Sequence, residues 1–210
     1  PFGAEREPFW NVVRAAVITL PVLFAPLSAW MRARSARSDF WLRLEQLALA
    51  YAVAGGSLAT AVAGWGGFSS SSHEFSSVLT SGALAIAAGV GVVLARPGLS
   101  GRMAGAIIAG AGLVVPLAYG ADDATVPAAV LFFALWAGIA AAALAAHWRG
   151  VFQLAVGGLA LRLIILSFEL AGDLLTSGFG LILSGVMILG VAWVAVRVSK
   201  RFAPREEPGA

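Results

Sequence analysis

The sequence predicts an all-α, polytopic transmembrane helix bundle with about seven spans. Of its 210 residues, 60% are hydrophobic and only 12% are charged, and the mean hydropathy is +0.88. Such values exclude a water-soluble globular domain. The apolar residues form continuous blocks of about 20 residues, the length that a helix needs to cross a hydrocarbon core. Basic residues separate these blocks. We therefore expect one transmembrane domain over residues 1–210.

The apolar blocks are too long and too evenly apolar for membrane strands, which alternate lipid-facing and polar residues over about ten positions. They lie at 12–31, 46–66, 76–95, 102–120, 125–147, 150–172 and 177–197. The first, third, fifth and seventh blocks are each followed by basic residues. The second, fourth and sixth end near Glu74, Asp122 and Asp173. These borders define each span in turn, because charged side chains are costly within the hydrocarbon.

Arginine and lysine indicate the orientation of the spans, because both residues concentrate in cytoplasmic loops. If the spans alternate, eleven of the fourteen basic residues fall on one side: Arg32, Arg34, Arg37, Arg43, Arg96, Arg102, Arg149, Arg197, Lys200, Arg201 and Arg205. Arg14 is the main exception, and we expect it to extend to the outer headgroups. The pattern predicts a bacterial inner-membrane protein with its N-terminus outside and its C-terminus in the cytoplasm. An outer N-terminus with an odd span count also suggests further helices before Pro1.

Tryptophan supports these boundaries independently, since its amphipathic ring prefers the headgroup level. Only Trp136 lies near the centre of a proposed span. The other six lie at or near span ends: Trp10, Trp30, Trp41, Trp65, Trp148 and Trp193.

The glycines lie mostly inside the spans and predict close helix packing. Small residues let helix backbones approach where lipid supplies no hydrophobic drive for association. The relevant glycines are Gly82, Gly89, Gly91, Gly101, Gly105, Gly110, Gly112, Gly157, Gly158, Gly178, Gly185 and Gly190. A dinucleotide-binding loop is excluded because no strand precedes any of them.

One span contains a charge that an apolar bundle would not need. Arg162 lies near the middle of the sixth block, where a charge costs several kcal/mol unless it faces protein or water. Glu169 is seven residues on, along the same helical face and about 10 Å away by helix rise. Asp173 follows after four more residues. These three side chains are the candidate intramembrane polar site. Either they fix the packing of the bundle, or they line a pocket for an anion, a lipid headgroup or a proton.

Other site chemistries lack the residues that they require. A retinal Schiff base needs a buried lysine, but the only lysine is Lys200 in the tail. His73 and His147 are expected in loops on opposite sides, which excludes axial haem ligation within the bilayer and the intramembrane His that a membrane serine hydrolase would need. Asp122–Asp123 is expected as a solvated outer loop rather than a metal site. There is no cysteine. We assign no catalytic, cofactor-binding or metal-binding residue and expect no nucleic-acid partner.

The C-terminal residues resemble a known family. Leu161–Leu163 and Phe168–Leu170 supply an Arg and an aromatic–acid pair, the turn Gly172–Gly178 is rich in Gly, Leu, Ser and Thr, and an apolar span with Gly185 ends at the basic Arg197–Arg201. This run is similar to the C-terminal end of bacterial membrane proteins in domain-of-unknown-function family 2157. The resemblance implies a longer multi-span protein and supplies no activity.

Two functions remain open from the sequence. The first is a non-enzymatic scaffold or accessory subunit that acts through helix packing, with membrane lipids, other membrane subunits or preceding helices as partners. The second is a transporter or a lipid- or anion-binding module that uses Arg162, Glu169 and Asp173. An enzyme acting on lipid through the outer carboxylates is a third, less favoured class.

Overall fold

The computed structural model describes residues 7–32, 34–35, 37–68, 72–170, 185–186, 188–194 and 196–197. Six helices occupy most of this part: α1 Glu7–Arg32, α2 Ser38–Gly64, α3 Ser72–Ala95, α4 Leu99–Gly120, α5 Thr125–Ala145 and α6 Arg149–Leu170. The described residues between 185 and 197 are helical as well. No strand occurs among the described residues, and for them the all-α prediction is confirmed.

Five of these helices, α2 to α6, are long and apolar enough to cross a membrane. They support a membrane protein, whereas seven spans and an outer N-terminus stay predictions. The helices extend beyond several of the apolar blocks. In particular, α2 begins at Ser38, well before the predicted start of the second span at residue 46, and runs through Arg43 and Glu45. Most of the seventh block, 177–197, lies outside the described residues.

The chain divides into two compact units, Pro1–Leu135 and Trp136–Ala210. In the first unit, α3 packs most extensively against α4, and α1 packs against both α3 and α2. Contacts between α2 and α4 complete this bundle. The first part of α5 joins it through Ala128, which is fully buried in a cluster with Ala63 and Ala118.

The contact between α3 and α4 depends on glycines that face each other across the two helices. A Cβ atom on Gly89 would lie 2.5 Å from the carbonyl oxygen of Gly105, and one on Gly82 would lie 2.9 Å from that of Gly112. Both distances are shorter than real Cβ contacts, so the two backbones approach as closely as they do only because these residues lack a Cβ. The predicted packing role is confirmed for these four glycines.

Small residues also bring α1 close to α3. Ala25 and Ala29 of α1 are completely buried, and a Cβ on Gly91 of α3 would lie 2.8 Å from the Cβ of Pro26. Pro26 removes a backbone donor within the helix, and the nearby Ser28 hydroxyl donates to the Ala25 carbonyl oxygen at 2.9 Å. The buried Ser28 hydroxyl therefore has its acceptor within α1.

At the opposite end from Arg32 and Arg96, the turn after α2 is tied to the turn after α4. The backbone N–H of Phe68 donates to Oδ1 of Asp122 at 3.2 Å, and the N–H of Asp123 donates to the carbonyl oxygen of Ala63 at 2.9 Å. Asp123 adopts the left-handed conformation, with φ 58°. The aspartate pair that was expected as a solvated loop therefore also joins two turns.

In the second unit, α6 buries a narrow face. Phe152 and Ala155 are buried, and a Cβ on Gly158 would lie 3.1 Å from the Trp136 ring. The packing prediction thus extends to Gly158, whereas Gly157 has open space beside it.

Candidate functional site

The predicted polar site is described only at Arg162. Its side chain is 6% exposed, and by helical period it lies directly in line with the buried Ala155, two turns earlier on α6. Arg162 has an interaction partner within the structure. The expectation that this arginine faces protein rather than lipid is consistent with its burial.

The two carboxylates of that site cannot be placed beside it. The backbone of Glu169 belongs to the last turn of α6, but its side chain lies outside the described residues, and so does Asp173. The alignment of Arg162 with Glu169 and Asp173 stays a prediction. Of the two histidines, His147 lies exposed in the turn between α5 and α6 with φ 58°, and the side chain of His73 is outside the described part.

A different charged cluster lies where α1, α2 and α3 meet. Glu45 is only 4% exposed. Its Oε1 accepts a hydrogen bond from Nη1 of Arg96 at 2.6 Å, and its Oε2 lies 3.5 Å from Nη1 of Arg32. Oε2 is buried and accepts no hydrogen bond from the described residues. We call these three residues the Glu45 cluster.

Helix geometry explains why the Glu45 cluster forms. Arg32 is the last residue of α1 and Arg96 directly follows α3, so both arginines stand at helix ends. Glu45 lies two turns inside α2, beside these two ends. A buried carboxylate is tolerated only with a charge partner and hydrogen bonds. Arg96 provides both, and Arg32 adds charge alone.

Glu45 directly precedes the second apolar block, at 46–66, and this position in the sequence predicts an interfacial side chain and gives no sign of the cluster. Its helical spacing could have indicated burial, because Glu45 lies on the same face of α2 as Ala48 and Ala52, which are both buried. A glutamate in that row must find a cation.

Further arginines surround the cluster at the same end of the first unit. Arg34 stacks over the Trp30 ring, with 4.0 Å between Cζ and the ring centroid. Arg37, Arg43 and Arg102 are exposed. Among the described residues at this end, six arginines face two acidic residues, Asp39 and Glu45, so the charge excess is four.

The first unit also contains a half-open cavity of about 320 Å³ between α1, α2, α3 and α4. Its lining is almost entirely apolar, and small residues of α2, α3 and α4 create the space. The residues that line it include Thr19, Tyr51, Gly55, Leu58, Ser81 and Val115. Because Phe68 also lines it, the cavity extends toward the end of α2 that is farthest from the Glu45 cluster.

The few polar groups in the cavity wall are already engaged. The Ser81 hydroxyl donates to the carbonyl oxygen of Val78 at 2.9 Å. Thr19 and Tyr51 each have an interaction partner as well. A molecule in this cavity would therefore meet mostly hydrocarbon.

The cavity opens along the outward face of α2. Tyr51 is 42% exposed and Leu58 is 63% exposed, and Gly55 between them has nothing within 4 Å of its virtual Cβ. The open side of the cavity therefore lies on an exposed, largely apolar face of α2.

No family model, curated protein or solved structure matches this chain. The resemblance of its C-terminal residues to family 2157 stays a prediction.

Proposed function

We propose that this chain is a non-enzymatic integral membrane protein of the bacterial inner membrane that binds a lipid chain. The observation that carries the proposal is the apolar cavity with its lateral opening beside Gly55. This function belongs to the lipid-binding class that the sequence left open, but it uses the first unit rather than Arg162.

The chemistry of the cavity wall favours a hydrocarbon chain as the ligand. The volume lies at the lower end of ligand pockets, which enclose about 300–1,000 Å³. A polar ligand would lose its hydrogen bonds on entry, because the hydroxyls of the wall already have partners. A chain that moves from bilayer to cavity exchanges one apolar environment for another, so its gain comes from close van der Waals contact. Small residues such as Gly55 provide the room for that contact.

Filling the entrance tests the proposal. Gly55→Leu places a branched side chain in open space at the cavity opening, whereas Gly110→Leu places the same side chain in open space on α4, outside the cavity. The wild type and both variants are reconstituted with a phospholipid that carries a photoactivatable group in its acyl chain. We expect labelling of residues 51–62 in the wild type and in the Gly110 variant. In the Gly55 variant, labelling should fall about tenfold, equivalent to about 1.4 kcal/mol of lost affinity.

Equal labelling of all three proteins would refute a specific chain site, because ordinary contact with bulk lipid does not depend on the cavity. Retained melting temperature in both variants establishes that the comparison concerns binding and not folding.

A scaffold or accessory subunit is the second candidate, favoured by the glycine contact between α3 and α4. Such backbone contact makes a rigid surface for a partner helix. In that case Gly55→Leu leaves lipid labelling unchanged, and native-membrane purification yields a stoichiometric complex that the Gly89→Ala variant loses.

A further inference from the structure

The Glu45 cluster is independent of the apolar cavity and lies at the other end of the same helices. Its charge balance is the starting point. One carboxylate faces two guanidinium groups, so the cluster as a whole carries one positive charge. The side chains of Arg32 and Arg96 are 31% and 24% exposed, while that of Glu45 is 6% exposed. The negative charge is therefore inside, and the positive charge faces outward.

The carboxylate of Glu45 lies close to one nitrogen atom of each guanidinium group. The ion pairs of Glu45 run to Nη1 of Arg32 at 3.5 Å and to Nη1 of Arg96 at 2.6 Å. Each guanidinium has five N–H donors in a planar fork. Glu45 thus holds the Arg96 guanidinium by a hydrogen bond and attracts that of Arg32 by charge, and most N–H donors of both groups remain for another acceptor. Fixed guanidinium groups lose little side-chain entropy when they bind an acceptor.

The level of the cluster points to phosphate as that acceptor. Trp30 lies two residues before Arg32, and Trp41 lies four residues before Glu45. Tryptophans of membrane proteins mark the headgroup region. Phosphodiester groups occupy that region, and paired N–H donors of arginine match phosphate oxygens better than a lysine would. The exposed Arg34, Arg37 and Arg43 raise the local concentration of anions.

We propose that Arg32 and Arg96, positioned by buried Glu45, form a binding site for a phosphate group, supplied by the headgroup of an anionic phospholipid. The surrounding arginines attract the anion, and the two positioned guanidinium groups bind it. The site is distinct from general attraction to a charged membrane, because it depends on Glu45 as well as on the arginines.

A substitution of Glu45 distinguishes a positioned phosphate site from general attraction by net charge, because the two predict opposite effects on lipid binding. Glu45→Gln adds one unit of positive charge to this end of the protein. If only net charge attracts anionic lipid, binding strengthens. If Glu45 positions the two arginines, binding weakens, because the guanidinium groups repel each other and separate.

The assay is lipid retention by the purified full chain. Protein in a neutral detergent is equilibrated with phosphatidylglycerol, with phosphatidylcholine or with inorganic phosphate, and bound lipid is counted by native mass spectrometry. Arg96→Gln and Arg32→Gln should each reduce phosphatidylglycerol retention about tenfold, or about 1.4 kcal/mol. Arg43→Gln and Arg102→Gln make the same charge change nearby without contact to Glu45, and should change retention less than about twofold. Phosphatidylcholine retention should be unaffected throughout.

Three results would overturn the proposal: equal losses in all four arginine variants, stronger retention in Glu45→Gln, or equal retention of both lipids by the wild type. Displacement of phosphatidylglycerol by millimolar inorganic phosphate would instead identify a soluble phosphate compound as the source of the group. If Glu45→Gln does not fold, Arg96→Lys decides the question. It keeps the charge and the ion pair but removes the fork, so it should lose retention while keeping the melting temperature.

Discussion

Adding one methyl group to Gly89 should separate α3 from α4. A Cβ at this position would lie 2.5 Å from the Gly105 carbonyl oxygen and 2.7 Å from the backbone nitrogen of Ala109. Ordinary contact begins at 3.4 Å, so the helices must move apart by about 0.9 Å to accept the methyl group of Gly89→Ala. Both obstructing atoms belong to the backbone and cannot rotate away.

The expected loss can be worked out from two opposing terms. Overpacking a well-packed contact costs about 1–3 kcal/mol, and the upper value applies here because the most extensive helix contact of the first unit has to open. Replacing glycine by alanine inside a helix returns about 0.5–1 kcal/mol. The net destabilisation by Gly89→Ala is therefore about 2 kcal/mol.

Gly110→Ala is the matched control, because Gly110 lies on α4 with nothing within 4 Å of its virtual Cβ. It should be neutral or stabilise by up to about 1 kcal/mol. Unfolding is followed by tryptophan fluorescence as SDS is titrated into protein in lipid micelles. The Gly89 variant should unfold at the lower SDS fraction. Combining Gly89→Ala with Gly105→Ala should cost less than the sum of the two changes, because one separation accommodates both methyl groups.

Identical unfolding midpoints for Gly89→Ala and Gly110→Ala would refute the reasoning. So would additive losses in the double variant, since they would mean that the two glycines act at separate contacts.

Three other predictions concern different parts of the chain. Asp122→Ala should destabilise by about 1 kcal/mol, because the Phe68 N–H loses its acceptor, while Asp122→Asn keeps the acceptor oxygen and should unfold like the wild type in the same SDS titration. Arg162→Ala should reduce the yield of folded protein if this buried arginine fixes packing; a folded variant that fails to bind anions, together with the same defect in Glu169→Gln, would favour the binding role. A fluorescent protein fused after Ala210 should fluoresce in the cytoplasm, and a dark but exported fusion would contradict the proposed orientation.

The helical class followed from composition and block length, because the membrane leaves few alternatives for an apolar block of this length. The residues at which the helices begin and end were harder to predict. Hydropathy falls at Arg43 and Glu45, which placed the start of the second span near residue 46. Backbone hydrogen bonding does not depend on hydropathy, and α2 continues back to Ser38.

The Glu45 cluster shows what a single sequence leaves out. Its three members are separated by 13 and 51 positions, counted from Arg32 to Glu45 and from Glu45 to Arg96. Nothing local to any of them identifies the other two. The intramembrane Arg162 stood out because an apolar neighbourhood makes a charge conspicuous, whereas Glu45 followed arginines and a glutamate beside arginines is ordinary at a membrane surface.

The cavity could not be predicted from the sequence for a related reason. Its wall combines residues from four helices, and its volume depends on how those helices cross. Small residues predicted close packing in general, and this was right for Gly89 and Gly105. At Gly55 the same residue type has open space beside it. Composition alone cannot separate a glycine that fits a neighbour from one that leaves room for a ligand.

The facing glycines of α3 and α4 also determine which alignment of the hairpin can form. Gly82 and Gly89 are seven residues apart, as are Gly105 and Gly112, so a slip of one heptad would still pair Gly89 with Gly112. That slip moves one helix about 10 Å along the other. Only residues 96–98 connect the two helices, and a shift of this size would unwind part of a helix within the apolar core. The short connection therefore disfavours the misaligned hairpin.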